Sequence, residues 1–345
     1  MSVSIIGTVG VLACYGGFES LVENLLSSKK VSLIYCTDKA YENKLTSYKG
    51  VKLKYWSLDA NGVESIPYDC LSIVHSLLFT KNDILVLGVS GAVMLPIFRL
   101  FSSRRIVTNI DGLEWKRDKW GKFAKWFLKF SEKIAVKTSH TIIADNAAIA
   151  EHVKTAYGKD SVVIAYGGDH AVTSKVSENK EDFSLALCRI EPENNVAMIL
   201  KAFSESPSEN LKFIGNWDKS EFGLELKREY SGYPNIEIIE PIYDTEALFK
   251  IRQKASRYIH GHSAGGTNPS LVEMMFFDIP IYCFDCNYNR ASTENKANYF
   301  SSVSSLKELI TIKTEQVKAV DMLQIAQRRY TWTIVKGQYE ELFDD

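Results

Sequence analysis

The sequence predicts an α/β protein built from two doubly wound domains. Short β-branched runs alternate with amphipathic stretches, a pattern typical of parallel sheets covered by helices on both faces. Residues 171 to 183, AVTSKVSENKEDF, interrupt this alternation with Ser, Asn and charged residues, as linkers do. The 345 residues also exceed the ~250–300 at which a single hydrophobic core stops growing.

The first predicted domain, residues 1 to 170, contains seven strand-like runs. They are VSIIG (3 to 7), VSLIYC (31 to 36), VKLKYWSL (51 to 58), DILVLG (83 to 88), RRIVTNI (104 to 110), HTIIAD (140 to 145) and SVVIAYG (161 to 167). The alternation resumes in the second domain, residues 184 to 325, and residues 326 to 345 have the apolar spacing of a helix. Because ligands bind at the carboxyl ends of such strands, we expect a site in a cleft between the domains.

Composition excludes several classes of function. The 41 basic and 42 acidic residues give a net charge of -1, so no overall field attracts nucleic acid. Six scattered cysteines fit a reduced cytoplasmic protein, and the C-x-x-C of Cys283 and Cys286 has no further ligand nearby, which favours packed thiols over a metal site. The apolar N-terminus lacks the basic start of a signal peptide, and no run reaches the ~18 apolar residues of a membrane-spanning helix.

The first glycine-rich loop, within GTVGVLACYGGFESLVENLL (7 to 26), joins a predicted strand to a predicted helix. Glycines let a backbone approach phosphate closely, and a helix start offers free N–H groups. Gly16 and Gly17 are the candidates for this contact. The spacing departs from G-x-G-x-x-G, so a plain strand-to-helix turn remains an open alternative.

A second glycine-rich stretch, HGHSAGGTNPSLVEMM (260 to 275), predicts an anion site. Asn268 is a good N-cap and Pro269 suits the first helical position, so the N–H groups from Gly266 to Ser270 are expected to face an anion. Glu273, one turn later, is placed to accept hydrogen bonds from two sugar hydroxyls. The alternative is a capped helix whose acid only compensates its dipole.

Five stretches together resemble the bacterial glycosyltransferases of the GT-B fold and family-four type, in the rhamnosyltransferase-like branch. They are YGGFESLVENL, NIDGLEWKRDKWGKFAKWFLKFSEKIA, ADNAAIAEHV, IAYGGD and HGHSAGGTNPSLVEMM, in this order. The resemblance implies two Rossmann-like domains facing a cleft, a C-terminal helix that returns to the first domain, and catalysis without a metal ion or other cofactor. It also implies a nucleotide-sugar donor, dTDP-L-rhamnose, whose 6-deoxyhexose passes to a lipid-linked or oligosaccharide acceptor of capsule, O-antigen or exopolysaccharide.

The resemblance also assigns roles on the donor side. Glu273 matches the second acid of the E-x7-E motif, which binds ribose, while the first acid is replaced by Gly265, a change that suits a 6-deoxy sugar. Arg189 in CRIEPENN matches the basic residue that faces the diphosphate, and the usual partner lysine is replaced by Asn194. The predicted donor-binding residues are Gly16, Gly17, Arg189, Gly265, Gly266, Thr267, Asn268, Ser270 and Glu273, with Arg189 and Glu273 also catalytic.

The acceptor side is predicted in NIDGLEWKRDKWGK (109 to 122). By resemblance, Asp111 stands where many relatives have a catalytic histidine, and Asp111 and Glu114 are the catalytic candidates. Trp115 beside charged residues is typical of a sugar platform, with burial of the ring as the alternative. Asp111, Trp115 and Glu19 are the predicted acceptor contacts. If configuration is retained, the leaving diphosphate takes the acceptor proton and a carboxylate only orients the hydroxyl.

Three alternatives to this function stay open: a different donor such as a UDP-sugar, a nucleotide-sugar epimerase of the same build, and an inactive nucleotide-sugar-binding protein. The basic, aromatic-rich segment KRDKWGKFAKWFLKFSEKIAVK (116 to 137) is typical of helices that lie on anionic membranes. An ordinary helix that buries its aromatic residues is the alternative. We therefore expect a cytoplasmic enzyme, with peripheral contact at the inner face of the cytoplasmic membrane left open.

Overall fold

The computed structural model describes residues 2–12, 16–116, 121–312 and 322–344. The chain forms two compact units. Unit 1 comprises Met1–Tyr166 and Thr333–Asp345, and unit 2 comprises Gly167–Trp332. The predicted linker therefore belongs to unit 2, where the Thr173 hydroxyl donates to Glu246 and the Lys180 ammonium donates to the Gln253 carbonyl.

Unit 1 is an eight-stranded sheet flanked by helices. Its elements are β1 (Val3–Ile6), α1 (Gly17–Leu25), β2 (Val31–Thr37), β3 (Ser47–Tyr48), β4 (Val51–Trp56), α2 (Ser65–Phe79), β5 (Asp83–Leu87), α3 (Leu95–Phe101), β6 (Ile106–Asn109), α4 (Lys122–Thr138), β7 (Thr141–Ala144), α5 (Ala147–Tyr157) and β8 (Val162–Val163). The strand order is β3-β4-β2-β1-β5-β6-β7-β8. Among the described strands of this unit, only β3 and β4 pair antiparallel. Strands β1 and β5 are buried along their whole length, as expected of strands covered on both faces.

Unit 2 is a six-stranded sheet in the order β11-β10-β9-β12-β13-β14. Its elements are β9 (Ser184–Leu187), α6 (Val196–Ser204), β10 (Leu211–Ile214), α7 (Glu221–Tyr230), β11 (Ile236–Ile239), α8 (Thr245–Arg252), β12 (Arg257–His260), α9 (Pro269–Met274), β13 (Ile281–Phe284), α10 (Asn287–Ser292), β14 (Asn298–Phe300), α11 (Val303–Ile310) and α12 (Met322–Arg329). All neighbouring strands are parallel. Trp217 and Phe213, both fully buried, pack edge to face in its core.

Each sheet has a point at which the direction of strand addition reverses. In unit 1 the chain moves from β1 to β2 on one side and returns to β5 on the other. In unit 2 it moves from β9 to β10 and returns to β12. Ligands of open α/β sheets bind at the carboxyl ends of the strands beside such a point. The first glycine-rich loop follows β1, the Arg189 loop follows β9 and the second glycine-rich stretch follows β12.

The predicted C-terminal helix is two helices, α12 and α13 (Trp332–Glu341). The chain breaks between them because the Tyr330 carbonyl accepts from the Gly168 N–H instead of continuing the helix. Asp169 Oδ1 then accepts from the Trp332 N–H at 2.8 Å, as an N-cap does. The second helix packs in unit 1, where the Tyr339 hydroxyl accepts from Asn109 at 2.8 Å. Within the four described ranges, no helix is long and apolar enough to cross a membrane.

Candidate functional site

The loops after β9 and β12 in unit 2 are joined by hydrogen bonds. Ser263 donates to the Glu193 carbonyl through its N–H at 2.9 Å and its hydroxyl at 2.8 Å. The Asn195 amide donates to the Gly261 carbonyl at 2.8 Å. A side chain at Gly261 would lie 2.1 Å from the Asn194 carbonyl oxygen, so this close approach requires glycine. The Arg189 loop and the second glycine-rich stretch thus form one assembly.

Asn194, which replaces the lysine of the resembling family, is a buried joint in this assembly. Its Nδ2 donates to the Arg189 carbonyl at 2.7 Å, and its Oδ1 accepts from His262 Nδ1 at 2.8 Å. An amide makes both bonds because it carries a donor and an acceptor, whereas an ammonium only donates. Asn194 therefore connects the two loops structurally, where a lysine would supply a positive charge.

Arg189 projects from this fixed backbone with 44% of its side chain exposed. Its nearest acid is Glu191, at 4.0 Å between Nε and Oε2, the outer limit of an ion pair. A guanidinium held this loosely keeps donors in a planar fork that suits phosphate oxygens. The role assigned to Arg189 at the diphosphate stays a prediction.

Glu273 lies in α9 with 14% of its side chain exposed. One oxygen pairs with Arg252, whose side chain is 4% exposed, and the other lies 3.3 Å from His170 Nε2. Burial raises the pKa of Glu273, but the Arg252 guanidinium and the His170 N–H outweigh burial and hold that pKa below its usual 4.5. The carboxylate is therefore ionised at neutral pH and fixed in direction.

His170 is oriented by Trp332, the last residue of unit 2. The Trp332 indole N–H donates to His170 Nδ1 at 2.9 Å. With Nδ1 acting as an acceptor, the proton of the neutral ring lies on Nε2, which points to Glu273. These contacts form one hydrogen-bonded series. Trp332 donates to His170, and both His170 and Arg252 donate to Glu273.

Two glycines before His170 permit this series. A side chain at Gly167 would lie 2.4 Å from the Trp332 ring, and one at Gly168 would lie 2.9 Å from the Glu273 backbone nitrogen. Both contacts are shorter than real Cβ contacts, so Gly167 packs against Trp332 and Gly168 packs against α9 only because these positions lack side chains.

The anion site predicted from Gly266 to Ser270 needs one correction. The Ser270 N–H donates to Asn268 Oδ1 at 3.0 Å, and the Ser270 hydroxyl donates to the same oxygen at 2.7 Å. Asn268 is therefore the N-cap, as predicted, but it consumes the donors that Ser270 was expected to offer. Contacts of Gly265, Gly266 and Thr267 with a donor stay predictions. Gly265 has φ +115°, a conformation that side chains disfavour.

Other polar residues near β12 and β13 are structural. The Asn289 amide donates to the His262 and Phe284 carbonyls, both at 2.8 Å. Arg290 pairs with Asp285 through two bonds of 2.6 and 2.8 Å. Burial lowers the pKa of His260 well below its usual value, so its ring is neutral. No group of three or more His, Cys, Asp or Glu within the described ranges is placed to hold a metal ion.

Asp111 follows β6 in unit 1 and has φ +58°, a strained backbone for a residue with a side chain. The Asn109 side chain fixes this turn by accepting from the Asp111 N–H at 2.9 Å. The Tyr166 hydroxyl lies 3.3 Å from Asp111 Oδ1. Burial, and then the Asp111 carboxylate, raise the pKa of Tyr166 well above its usual range, so this phenol stays a donor. Asn109 therefore fixes the backbone of Asp111, and the Tyr166 hydroxyl fixes the direction of its carboxylate.

Trp115 is packed rather than displayed. Its indole N–H donates to Glu132 at 2.9 Å, and the Lys129 ammonium lies 4.9 Å from its ring centroid. Glu132, 2% exposed, also accepts from His152 at 3.1 Å and from the Tyr157 hydroxyl at 2.6 Å. This network favours the packed alternative over a sugar platform. The side chain of Glu114 lies outside the described structure, as do Arg117 to Trp120.

Glu19 binds its own loop. Its Oε1 accepts from the Thr8 hydroxyl at 3.1 Å and the Val9 N–H at 3.0 Å. A side chain at Gly16 would lie 1.8 Å from Glu19 Oε2, and one at Gly17 would lie 3.1 Å from the Tyr166 ring. Gly16 thus makes room for the acid that shapes the loop and Gly17 makes room for the Tyr166 ring, while their approach to a donor stays a prediction. Cys14 and Tyr15 lie outside the described residues.

The sequence did not single out His170, Arg252 or Trp332. His170 directly follows the motif IAYGGD, and this position in the sequence could have indicated that it lies beside the site. Arg252 ends α8 among other charged residues, and nothing near it in the sequence indicates burial. Trp332 lies in the segment 326 to 345, whose apolar spacing predicts only that this helix packs on another element.

Comparison with solved structures supports the fold. Sucrose-phosphate synthase from Thermosynechococcus elongatus superposes with a TM-score of 0.78 at 10% identity, covering 99% of this chain and 98% of that chain. HepE from Anabaena, solved with UDP, gives 0.73 at 13% identity and covers 99% of both chains. WaaB, a lipopolysaccharide outer core galactosyltransferase, gives 0.65 at 12% identity over 99% of this chain and 98% of that chain. The fold of this chain is GT-B, as predicted.

Comparisons by sequence are less specific. A family model described as a domain of unknown function, DUF1972, matches residues 1–169. No curated protein matches the chain. The family match therefore covers the N-terminal part of unit 1 and only the first three residues of unit 2.

Proposed function

We propose that this protein is a glycosyltransferase that takes its sugar from a nucleotide-sugar donor. The observation that carries the proposal is the Glu273 carboxylate, which is ionised, oriented by Arg252 and His170, and located beside the strand reversal of a GT-B fold. HepE, one of the proteins with a similar fold, has been solved with UDP-glucose. Enzymatic transfer, donor class and acceptor all belong to the proposal.

The proposed donor contacts follow from chemistry. A carboxylate oxygen accepts two hydrogen bonds, so Glu273 retains the capacity to bind the vicinal hydroxyls of a ribose after its pairing with Arg252 and His170. Arg189 supplies the positive charge for the diphosphate. Because α9 has only six residues, its dipole is short, and the guanidinium is the main counter-charge.

The proposed reaction breaks the bond between the sugar and the diphosphate oxygen. Negative charge grows on that oxygen, and Arg189 stabilises it in the transition state. In a retaining reaction the departing diphosphate oxygen takes the proton of the acceptor hydroxyl, and no metal ion is required. Asp111 then orients that hydroxyl from unit 1 by accepting a hydrogen bond.

The finer proposal is a 6-deoxyhexose donor, dTDP-L-rhamnose, and a lipid-linked or oligosaccharide acceptor in surface polysaccharide synthesis. Its support is Gly265, which stands where the resembling family has an acid that grips a sugar hydroxyl. Since φ at Gly265 is +115°, the backbone here also requires glycine. The conformation of the loop therefore disfavours an acid, or any other side chain, at position 265.

Donor binding is testable by thermal unfolding with a panel of dTDP- and UDP-sugars, each shift being measured against the same variant without ligand. We expect a selective rise in Tm for the wild type. Glu273→Gln and Arg189→Ala should each weaken binding by about 10- to 100-fold, because each removes hydrogen bonds to or from a charged group.

The matched controls are Glu181→Gln and Arg228→Ala, which change exposed residues in surface ion pairs. Both should leave the ligand shift unchanged. If none of the nucleotide-sugars shifts the Tm of the wild type, the proposal is contradicted. Conversion of the donor without an acceptor would identify an epimerase, and binding with no turnover on any acceptor would identify an inactive binding protein.

A second prediction concerns Gly265. Gly265→Ala and Gly265→Glu share the same backbone strain, and a Cβ here lies 3.2 Å from His262 Nε2. Gly265→Ala should therefore cost about 1–2 kcal/mol of stability, and Gly265→Glu should cost a similar amount. If the missing acid sets specificity, only Gly265→Glu should change the ratio of kcat/KM values between a 6-deoxy donor and its 6-hydroxy analogue. Equal ratios in both variants would refute the link.

A further inference from the structure

The exposed apolar residues of this protein are concentrated on three helices of unit 1. Of 17 large hydrophobic side chains exposed in the described ranges, nine lie on α2, α3 and α4. They include Leu100 at 76%, Phe101 at 72% and Phe123 at 77% exposure. The full set is Leu71, Leu78, Phe79, Ile97, Leu100, Phe101, Phe123, Trp126 and Phe130. A contiguous group of this size on one face marks an interaction surface.

The three helices adjoin each other. α3 packs against both α2 and α4, and Arg99 of α3 donates to the Thr138 carbonyl at the end of α4 at 2.5 Å. The strands they connect, β4 to β5, β5 to β6 and β6 to β7, all advance in one direction across the sheet. Right-handed crossovers therefore put all three helices on the same face. We name this surface, formed by α2, α3 and α4, the helical face.

The aromatic residues of α4 form an ordered outward row. The Trp126 and Phe130 rings are stacked with centroids 5.7 Å apart and planes 2° apart. Phe123 lies 5.9 Å from Trp126 on the other side. Their exposures of 77%, 60% and 45% show that these rings contact each other instead of the sheet. The alternative of aromatic residues buried against the sheet is thus wrong for these three.

The exposed charge on the helical face has one sign. Lys122, Lys129, Lys133 and Lys137 of α4 and Arg99 of α3 are exposed, and Lys125 of α4 is half-buried. The two acids of these helices, Glu132 at 2% exposure and Asp69 at 3%, are both buried. A chain with a net charge of -1 therefore presents here a face of cations and aromatic rings.

We propose that the helical face binds an anionic lipid bilayer. Aromatic and aliphatic side chains insert at the boundary between headgroups and acyl chains, while lysines extend to anionic headgroups, and no exposed acid of the three helices opposes them. A second copy of this chain is disfavoured as the occupant, since its own helical face would bring like charges together. This inference does not depend on the proposed function, because no residue of the helical face is assigned a contact with donor or acceptor.

The test is flotation of the full chain with vesicles of phosphatidylcholine alone or with one third phosphatidylglycerol. We expect binding only to the anionic vesicles, and loss of most binding between about 0.1 and 1 M salt, where the screening length falls from ~10 to ~3 Å. Lys122→Gln/Lys133→Gln/Lys137→Gln should weaken binding at least about tenfold. Phe123→Ser/Trp126→Ser should also weaken it at least about tenfold through lost apolar contact.

The matched control is Lys159→Gln/Lys175→Gln/Lys219→Gln, which removes three exposed lysines elsewhere and should bind as the wild type does. All variants should keep their Tm and their response to nucleotide-sugar, so that failure of either proposal is recognised separately. A wild type that ignores anionic vesicles, or a control triple variant that loses as much binding as the helical-face triple, would overturn the inference. Self-association that Phe123→Ser/Trp126→Ser abolishes, without vesicle binding, would assign the face to a second copy.

Discussion

Replacing Arg252 by methionine is expected to lower the free energy of unfolding by about 3–5 kcal/mol. The substitution keeps the volume of the side chain but leaves the buried Glu273 carboxylate without its main counter-charge. His170 alone does not compensate, because its Nδ1 accepts from Trp332 and only its Nε2 faces Glu273. Donor binding should fall with stability, since Glu273 would then take up a proton more readily. Urea unfolding and the nucleotide-sugar thermal shift measure the two effects.

The double variant Arg252→Met/Glu273→Gln is the control. It removes both charges, so it should be more stable than Arg252→Met alone, although its donor binding should stay weakened. Such a positive coupling is the signature of a buried pair. If the two substitutions instead destabilise additively, the pair does not carry the energy assigned to it.

The same pair predicts a pH dependence. Because the pKa of Glu273 is lower in the folded state than its usual 4.5, its stabilising contribution is present above that value and is lost as pH falls through the folded pKa. In Arg252→Met this contribution is absent, and the deficit in stability should be smaller at about pH 4 than at pH 7. A deficit that is constant across this window would show that Glu273 ionisation is not its origin.

Asp111→Asn is expected to reduce sugar transfer by about 10²-fold, because the acceptor hydroxyl loses its orientation, with little change in Tm. Asparagine keeps an oxygen for the Tyr166 hydroxyl and tolerates the left-handed backbone at φ +58°. The substitution removes the negative charge and one acceptor oxygen, which together are proposed to orient the acceptor hydroxyl. Steady-state kinetics should show the loss in kcat, and donor binding should remain normal.

Asp111→Gly serves as the companion variant. It relieves the backbone strain and removes the whole side chain, so transfer should be at least as low as in Asp111→Asn. If Asp111→Asn retains full activity while Asp111→Gly loses it, the residue acts by hydrogen bonding without charge. If both variants are fully active, Asp111 has no part in the reaction.

Local rules account for what the sequence predicted well. The alternation of β-branched runs with amphipathic stretches depends on neighbours a few positions apart, and the fold it predicts is confirmed. The Asn268 cap is confirmed for the same reason, because its bonds lie within two residues. Prediction was weaker where a local signal had two meanings. Trp115 beside charge fitted both a platform and a packed ring, and its bond to Glu132 spans 17 positions.

The sequence by itself determined the strand and helix alternation, the need for glycine before α9 and the presence of an acid one turn into that helix. Only the tertiary structure decided what holds the acid: Arg252 lies 21 positions away, and Trp332 lies 162 positions from the histidine it orients. Capping and periodicity are short-range effects written into adjacent residues. Burial and charge pairing depend on which strands are neighbours in the sheet. The strand reversals of the two sheets determine that order.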